Sequence, residues 1–225
     1  MEGGGDFFTE KAKTWDKIEW AKERAQRTTE LVVRELGGGE KAKEAKVLDF
    51  GCGTGSLCLS LAEKVGSVVG VDAAEGMVSE FEKKLDQLKS VDNVVAEWAT
   101  ISSFSAREAE QGRYDVVLSV FTFHHVEDRK AVLQEVRRLL KPNGYALIVD
   151  LLETPNSMLF HSSHAHKHGG VHKSGGFSAA ELTDLFQAAG YPIVSTETLF
   201  DFQKPVEPDN SSQTFSVIAA VGRTM

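Results

Sequence analysis

The sequence predicts an α/β fold: a mostly parallel β-sheet with helices on both faces and one antiparallel strand at its end. Three observations carry this expectation. Between residues 46 and 151, short apolar runs alternate with amphipathic stretches, the pattern of strands joined by helical crossovers. The strand runs are apolar almost throughout, as strands covered on both faces must be. The last two apolar runs follow one another with no helical segment between them, which makes them an antiparallel pair.

Length and composition agree. A chain of 225 residues suits one domain. A domain of that size buries roughly 70–75% of its unfolded surface and needs no staple. Asp and Glu outnumber Lys and Arg by 33 to 25, a formal charge of −8, so a nucleic-acid backbone is a poor default partner. Two cysteines make neither a disulfide framework nor a zinc ribbon; reduced thiols and a cytoplasmic location are expected. No stretch approaches 18 apolar residues, and residues 1–8 are acidic and Gly-rich rather than a signal peptide. Membrane, secreted and disordered classes are excluded, which leaves a cytoplasmic globular enzyme.

In chain order, Trp15, Ile18, Ala21, Ala25, Thr28, Val32 and Leu36 recur at three- and four-residue steps and predict one long amphipathic helix, ended by Gly37-Gly38-Gly39. Residues 46–50 form a short strand that runs into Gly51-Cys52-Gly53-Thr54-Gly55. Residues 57–65, apolar nearly all round, form a buried helix. Strands follow at 68–71, 94–98, 115–120 and 145–151, with helices marked by Met77, Phe81, Leu85 and Leu88, then by Val132, Leu133, Val136, Leu139 and Leu140. Pro142-Asn143-Gly144 closes the second of these helices. Residues 152–177 are polar and loop-like, and Leu182, Leu185, Phe186 and Ala189 mark a last helix. The final strands are 193–202 and 214–221, and the connection between them contains Pro205 and Pro208. The segments read as a helical cap (1–40), a cofactor-binding core (46–151), a lid or substrate loop (152–177) and a C-terminal helix with the strand pair (178–225).

A strand, a Gly-x-Gly-x-Gly bend and a helix place backbone N–H groups beside a bound ligand, and glycine allows the close approach and positive φ this requires. Asp72 lies 21 residues after Gly51 at the end of the second strand, where a carboxylate can accept both hydroxyls of a ribose. So far NAD fits as well as any other ribose-bearing ligand. Two details oppose a dinucleotide. Asp49, two residues before Gly51, would repel a pyrophosphate and attract an ammonium or sulfonium. The bend also lacks the Gly-x-Gly-x-x-Gly spacing that suits a pyrophosphate.

Residues 47–55, Val-Leu-Asp-Phe-Gly-Cys-Gly-Thr-Gly, resemble the signature of class I S-adenosylmethionine-dependent methyltransferases. Val69-Gly70-Val71-Asp72 with Met77, residues 114–119, His124-His125-Val126 and residues 140–145 extend the likeness over 47–150. It implies a Rossmann-like seven-stranded sheet, methyl transfer, and S-adenosyl-L-methionine as cofactor. By position, Asp49 and Gly51 would hold its methionine end, Asp72 its ribose, and Met77 its adenine. Ser119 would lie beside the sulfonium. Cys52, Gly53, Gly55, Ala73, Thr100 and Ile101 complete the expected cofactor site. Ala99-Thr100-Ile101 lacks the Asp often found near the adenine amino group, so Thr100 or backbone groups substitute. The ends resemble a narrower set of small methyltransferases of the ubiquinone/menaquinone-methyltransferase-like type, through Phe7-Phe8, Ala12, Trp15-Asp16, Asp150-Leu151, Glu153, Phe160-His161, Val171-His172 and Gly176-Phe177. Lys173-Ser174-Gly175 departs from that set's more His-rich run.

All seven histidines fall in two clusters, His124 and His125, then His161, His164, His166, His168 and His172. Both follow strand ends and can overhang one pocket. An imidazole titrates near neutrality and is chemically suited to take a proton from an oxygen or nitrogen acceptor. His125, His124, His172 and His161 are therefore the candidate catalytic residues. The alternative for the first cluster is capping and packing. The second has three readings: a solvated loop, a substrate-covering lid, or an adventitious metal site lacking a nearby Cys or carboxylate cluster. No metal is assigned. Trp15 either packs in the core or closes over the cofactor, where an aromatic face attracts a sulfonium. The expected partner is a small-molecule methyl acceptor. The alternatives are an RNA or protein acceptor and a non-catalytic cofactor-binding role beside another methyltransferase.

Overall fold

A computed structural model of the chain describes residues 5–17, 20–107, 110–162 and 170–225. Its seven strands are β1 (Lys46–Phe50), β2 (Ser67–Asp72), β3 (Val94–Trp98), β4 (Tyr114–Val120), β5 (Leu140–Leu151), β6 (Ile193–Val206) and β7 (Ser211–Arg223). They form one sheet in the order β3-β2-β1-β4-β5-β7-β6. The β1, β2, β3, β4 and β5 pairings are parallel, and β7 runs antiparallel to both β5 and β6. The described helices are α1 (Gly5–Trp15), α2 (Ala21–Glu35), α3 (Gly39–Ala42), α4 (Ser56–Ala62), α5 (Glu75–Gln87), α6 (Ile101–Ser105), α7 (Arg129–Leu139) and α8 (Ala179–Ala188).

Strand alternation builds two cores. Val47, Val116, Leu118, Leu147, Val149, Val217 and Ala219 face one side, packed with Leu31 and Val32 of α2 and Leu57 and Leu61 of α4. Their neighbours Leu48, Phe50, Val117, Ala146, Ile148, Ile218 and Ala220 face the other, against Phe104, Leu133, Val136, Leu182 and Phe186. A period of two with both sets apolar is what a doubly covered sheet requires. The alternation breaks at the end of β4. Val120 and Phe121 belong to the same core, because Phe121 has φ 52°. That left-handed turn, uncommon for an aromatic residue, swings its ring among Trp20, Phe160 and Phe202.

Three boundaries differ from the sequence expectation. The helix expected from Trp15 to Leu36 starts only at Ala21, as α2, while Trp15 ends a separate helix, α1, with Asp16 and Lys17 in a turn. The cause is tertiary: Asp16 accepts hydrogen bonds from Thr54 Oγ1 (2.7 Å) and Ser56 Oγ (3.0 Å) and pairs with Lys84 (2.5 Å), which overrides the periodicity. Strand β5 starts at Leu140, opposite Tyr114, and its ladder resumes at Tyr145 opposite Val116, so residues 141–144 form an irregularity within the strand. The last hairpin is longer than expected, pairing through Pro205 with Ser212 and Val206 with Ser211; Pro205 is tolerated because β6 is an edge strand.

Gly222 in β7 has no room for a side chain, since an added Cβ would lie 2.2 Å from the ring of Phe186, which is fully buried. Gly222→Ala should therefore lower unfolding stability by about 1–3 kcal/mol, measured as a reduced urea midpoint; an unchanged midpoint would contradict this packing.

Candidate active site

Ligands of open α/β sheets bind beyond the C-terminal strand ends, and here a cavity of about 880 Å³ lies there. Asp49 of β1, Asp72 of β2, Val120 of β4, Phe8 and Trp15 of α1, Arg24 of α2 and residues 170–172 contribute to its lining.

The glycine bend sets its floor. Gly51 has φ 75° and Gly55 φ 80°. A Cβ on Gly51 would stand 2.3 Å from Thr122, and one on Gly55 would stand 2.1 Å from the Phe81 ring. Gly51 lines the cavity and Gly55 does not, so Gly55 is needed for packing beneath the bend. Gly53 N and Ala74 N each donate to Asp72 at 2.8 Å. These bonds join the bend to the start of α5. Burial nevertheless raises the Asp72 pKa against the opposing pull of those N–H donors.

Asp49 shares strand parity with Val47 and so faces α2 and α4. It is 2% exposed and receives a weak hydrogen bond from Cys58 Sγ (3.4 Å), while its Oδ1 has no partner. Burial pushes its pKa up to about 7, against the lowering effects of Cys58 and Arg24. Arg24, absent from the sequence expectation, lines the same cavity. Its guanidinium lies 5.0 Å over Trp20 and 5.5 Å over Phe121, and burial lowers its pKa to about 10 while the charges of Asp49 and Asp150 oppose that. A carboxylate with a spare buried oxygen and a guanidinium at one cavity suit the ammonium and carboxylate of an amino acid. The residues present fit the methionine end of S-adenosylmethionine.

Cys52, Gly53, Ala73, Met77, Thr100, Ile101 and Trp15 all line the cavity. Trp15 and Met77 meet over Gly53: a Cβ there would be 3.4 Å from Trp15 Nε1 and 3.9 Å from Met77 Sδ. Thr100 is the N-cap of α6, its hydroxyl accepting from Ser103 N at 3.1 Å, so its side chain is already engaged. Ser119 is wholly buried with an unpartnered hydroxyl and is not among the lining residues. Both cysteines are free thiols.

The histidines separate. His125 and His172 line the cavity, while His124 and His161 do not. His124 is 2% exposed. Its Nδ1 lies 2.7 Å from Asp150 Oδ1, its backbone N–H donates to Asp150 Oδ2 at 3.1 Å, and its Nε2 is buried without a partner. Leaving such an atom unpartnered costs about 1–3 kcal/mol. His125 Nδ1 lies 3.2 Å from the Gly170 carbonyl. A carbonyl only accepts, so Nδ1 carries the proton and Nε2 is the basic atom of the neutral ring. The His161 ring lies 4.8 Å from His124 and 5.8 Å from His125. His164, His166 and His168 lie outside the described residues. Among the described residues no group of three or more His, Cys, Asp or Glu is arranged to hold a metal ion, and no helix is long and apolar enough to cross a membrane.

A family model described as a methyltransferase domain matches residues 20–196. An uncharacterized methyltransferase of Schizosaccharomyces pombe is 27% identical over 158 residues, 66% of this chain and 54% of that one. A ubiquinone biosynthesis O-methyltransferase of Pseudomonas aeruginosa is 33% identical over 115 residues, 51% of this chain and 48% of the other. The chain thus spans about half the length of these curated relatives. A crystal structure of a SAM-dependent methyltransferase from Aquifex aeolicus superposes with a TM-score of 0.62 at 23% identity, covering 94% of this chain and 97% of that one. This last likeness speaks to the fold alone.

The raised pKa of Asp49 has a consequence for stability. The unfolded chain has an ordinary carboxyl near 3.8, the folded one about 7, so the folded state holds the extra proton. That stabilisation is complete below about pH 4 and is lost as pH rises through about 7. Asp49→Asn, which cannot ionise, should therefore gain roughly 1–4 kcal/mol over the parent protein between pH 4 and pH 8. Urea unfolding of the ligand-free protein across that range checks it; parallel pH curves for the two proteins would contradict the burial of this charge.

Proposed function

The chain belongs to the S-adenosylmethionine-dependent methyltransferase family, and we propose that it moves a methyl group to an oxygen or nitrogen atom of a small molecule. The observation that carries the acceptor reading is His125, which lines the same cavity as Asp49 and Asp72 with its proton committed to the Gly170 carbonyl. When bound, S-adenosylmethionine supplies a methyl group on a positively charged sulfur. Asp49 would accept from its ammonium, Arg24 would take its carboxylate, and Asp72 would accept from its ribose hydroxyls. Met77 and Ile101, which line the same cavity, would hold the adenine. Trp15 and Phe8, whose rings meet edge to face at 5.7 Å, wall the cavity on the α1 side.

The chain's own chemical task is alignment and proton removal, because a displacement needs a nucleophile with an available lone pair. His125 Nε2 takes the proton of an O–H or N–H acceptor. The Phe8 ring, edge to face with His125 at 5.1 Å, limits the ring's motion, and the cavity's aromatic and imidazole walls suit a compact, partly planar acceptor. The Pseudomonas aeruginosa relative, whose name places it in ubiquinone biosynthesis as an O-methyltransferase, favours a hydroxyl as the attacked group.

Calorimetry with S-adenosylmethionine and S-adenosylhomocysteine tests the cofactor site; Asp72→Ala should weaken both by roughly tenfold or more, about 1.4 kcal/mol or more, and unchanged affinity would remove Asp72 from the site. Screening a metabolite extract for cofactor-dependent gain of one methyl identifies the acceptor. With that acceptor, His125→Ala should keep cofactor affinity and lose at least about tenfold in kcat, whereas wild-type turnover would eliminate His125 as the base.

A further inference from the structure

We infer that the buried Asp150–His124 pair is a positioning device that determines which nitrogen of His125 is basic and where that ring stands; the inference rests on the reading of His125 as the base. Asp150 is 0% exposed at the end of β5, and its carboxylate accepts three N–H groups. His124 Nδ1 (2.7 Å) and Leu151 N (2.7 Å) reach Oδ1, and His124 N (3.1 Å) reaches Oδ2. Leu151 N and His124 N can only donate, so both oxygens already act as acceptors; an ionised carboxylate facing a protonated Nδ1 of His124 is the arrangement that fits all three contacts. The buried, unpartnered Nε2 of His124 agrees: an imidazolium would bury an N–H with nothing to receive it.

Held this way, His124 reaches His125 by two routes. One is direct packing, the two rings standing 4.1 Å apart. The other runs through the backbone. The His124 carbonyl accepts from both His172 N and Lys173 N at 3.0 Å, which anchors the segment that begins at Gly170. The Gly170 carbonyl, two residues earlier, is the acceptor that keeps the proton of His125 on Nδ1. Asp150, the 3-10 turn Phe123–His125 and the 170–173 segment thus form a closed circuit. Moving His124 displaces the carbonyl that sets the tautomer of His125.

A staple that merely joined β5 to the turn would hold position without governing tautomer, and that difference can be read by NMR. In protein carrying 15N-labelled imidazoles and saturated with S-adenosylhomocysteine, His124 and His125 should both show protonated Nδ1 and unprotonated Nε2 above their titration ranges. In Asp150→Asn one amide oxygen must serve three N–H groups; placed at Oδ1 it still meets His124 Nδ1 and Leu151 N, and the NH2 then faces the His124 N–H, donor against donor. The turn should be displaced and His125 should lose its single tautomer, while S-adenosylhomocysteine affinity stays within about threefold. The inference is overturned if His125 keeps its tautomer in the variant, or if wild-type His124 is protonated on Nε2. Should Asp150→Asn fail to fold, His124→Asn serves the same purpose: a disturbed His125 tautomer supports the circuit and an undisturbed one overturns it. Failure of the base reading shows separately, as unchanged turnover in His125→Ala with the wild-type tautomers as described.

Discussion

The bend after β1 and the turn after β4 approach so closely that Gly51 has no room for a side chain against Thr122. Much of the site is arranged around that approach. Gly51 N donates to the Val71 carbonyl at 2.7 Å and Thr122 Oγ1 donates back to the Gly51 carbonyl at 3.2 Å, so β1, β2 and β4 are tied together at one point. Because the bend lies flat there, Gly53 N reaches Asp72, and the space above remains open for a ligand. Phe121, the residue before Thr122, leaves β4 in a left-handed conformation, at a conformational cost met by the aromatic packing around its ring.

The site also concentrates charge where burial opposes it. Asp49, Asp72 and Asp150 all sit at strand ends, and Arg24 reaches the same region from α2. Such groups contribute little to stability unless they are paired. Asp150 is fully satisfied by three N–H groups. Asp49 is not, since one of its oxygens is bare. The contrast separates a carboxylate already satisfied by the protein's own N–H groups from one with a buried oxygen to spare.

The sheet was legible because its strands are apolar on both faces; the glycine bend by itself fitted any ribose-bearing ligand, and Asp49 and the Gly-x-Gly-x-Gly spacing were what opposed a dinucleotide. Asp72 was legible from its spacing after the bend, and Met77 as a site residue only through the resemblance; both line the cavity. Other features lay beyond a one-dimensional pattern. The division between α1 and α2 comes from Asp16 meeting Thr54, Ser56 and Lys84, residues distant in sequence. Arg24 sits among Ala21, Ala25 and Thr28 on the apolar stripe of α2, a position that marks an inward-facing charge, yet an arginine on a helix ordinarily reads as solvated. Adjacent histidines cannot be told apart by sequence. The structure separates them because the turn Phe123–His125 sends one ring to Asp150 and the other to the cavity wall. Ser119, assigned by resemblance, is buried and is not among the lining residues.

Helix α1 forms one wall of the cavity, and its anchorage is small. It lies on α5 through a minor cluster of Ala12, Ala74 and Met77 with Phe8 and Trp15, and Asp16 ties its end to the bend and to Lys84. None of these contacts belongs to the two large cores of the sheet. Lifting this wall exposes little apolar area compared with opening the domain, so passage of a nucleoside past it is decoupled from global unfolding. Among the described residues, moving this wall asks for the loss of one small cluster and a few polar ties and leaves both sheet cores in place.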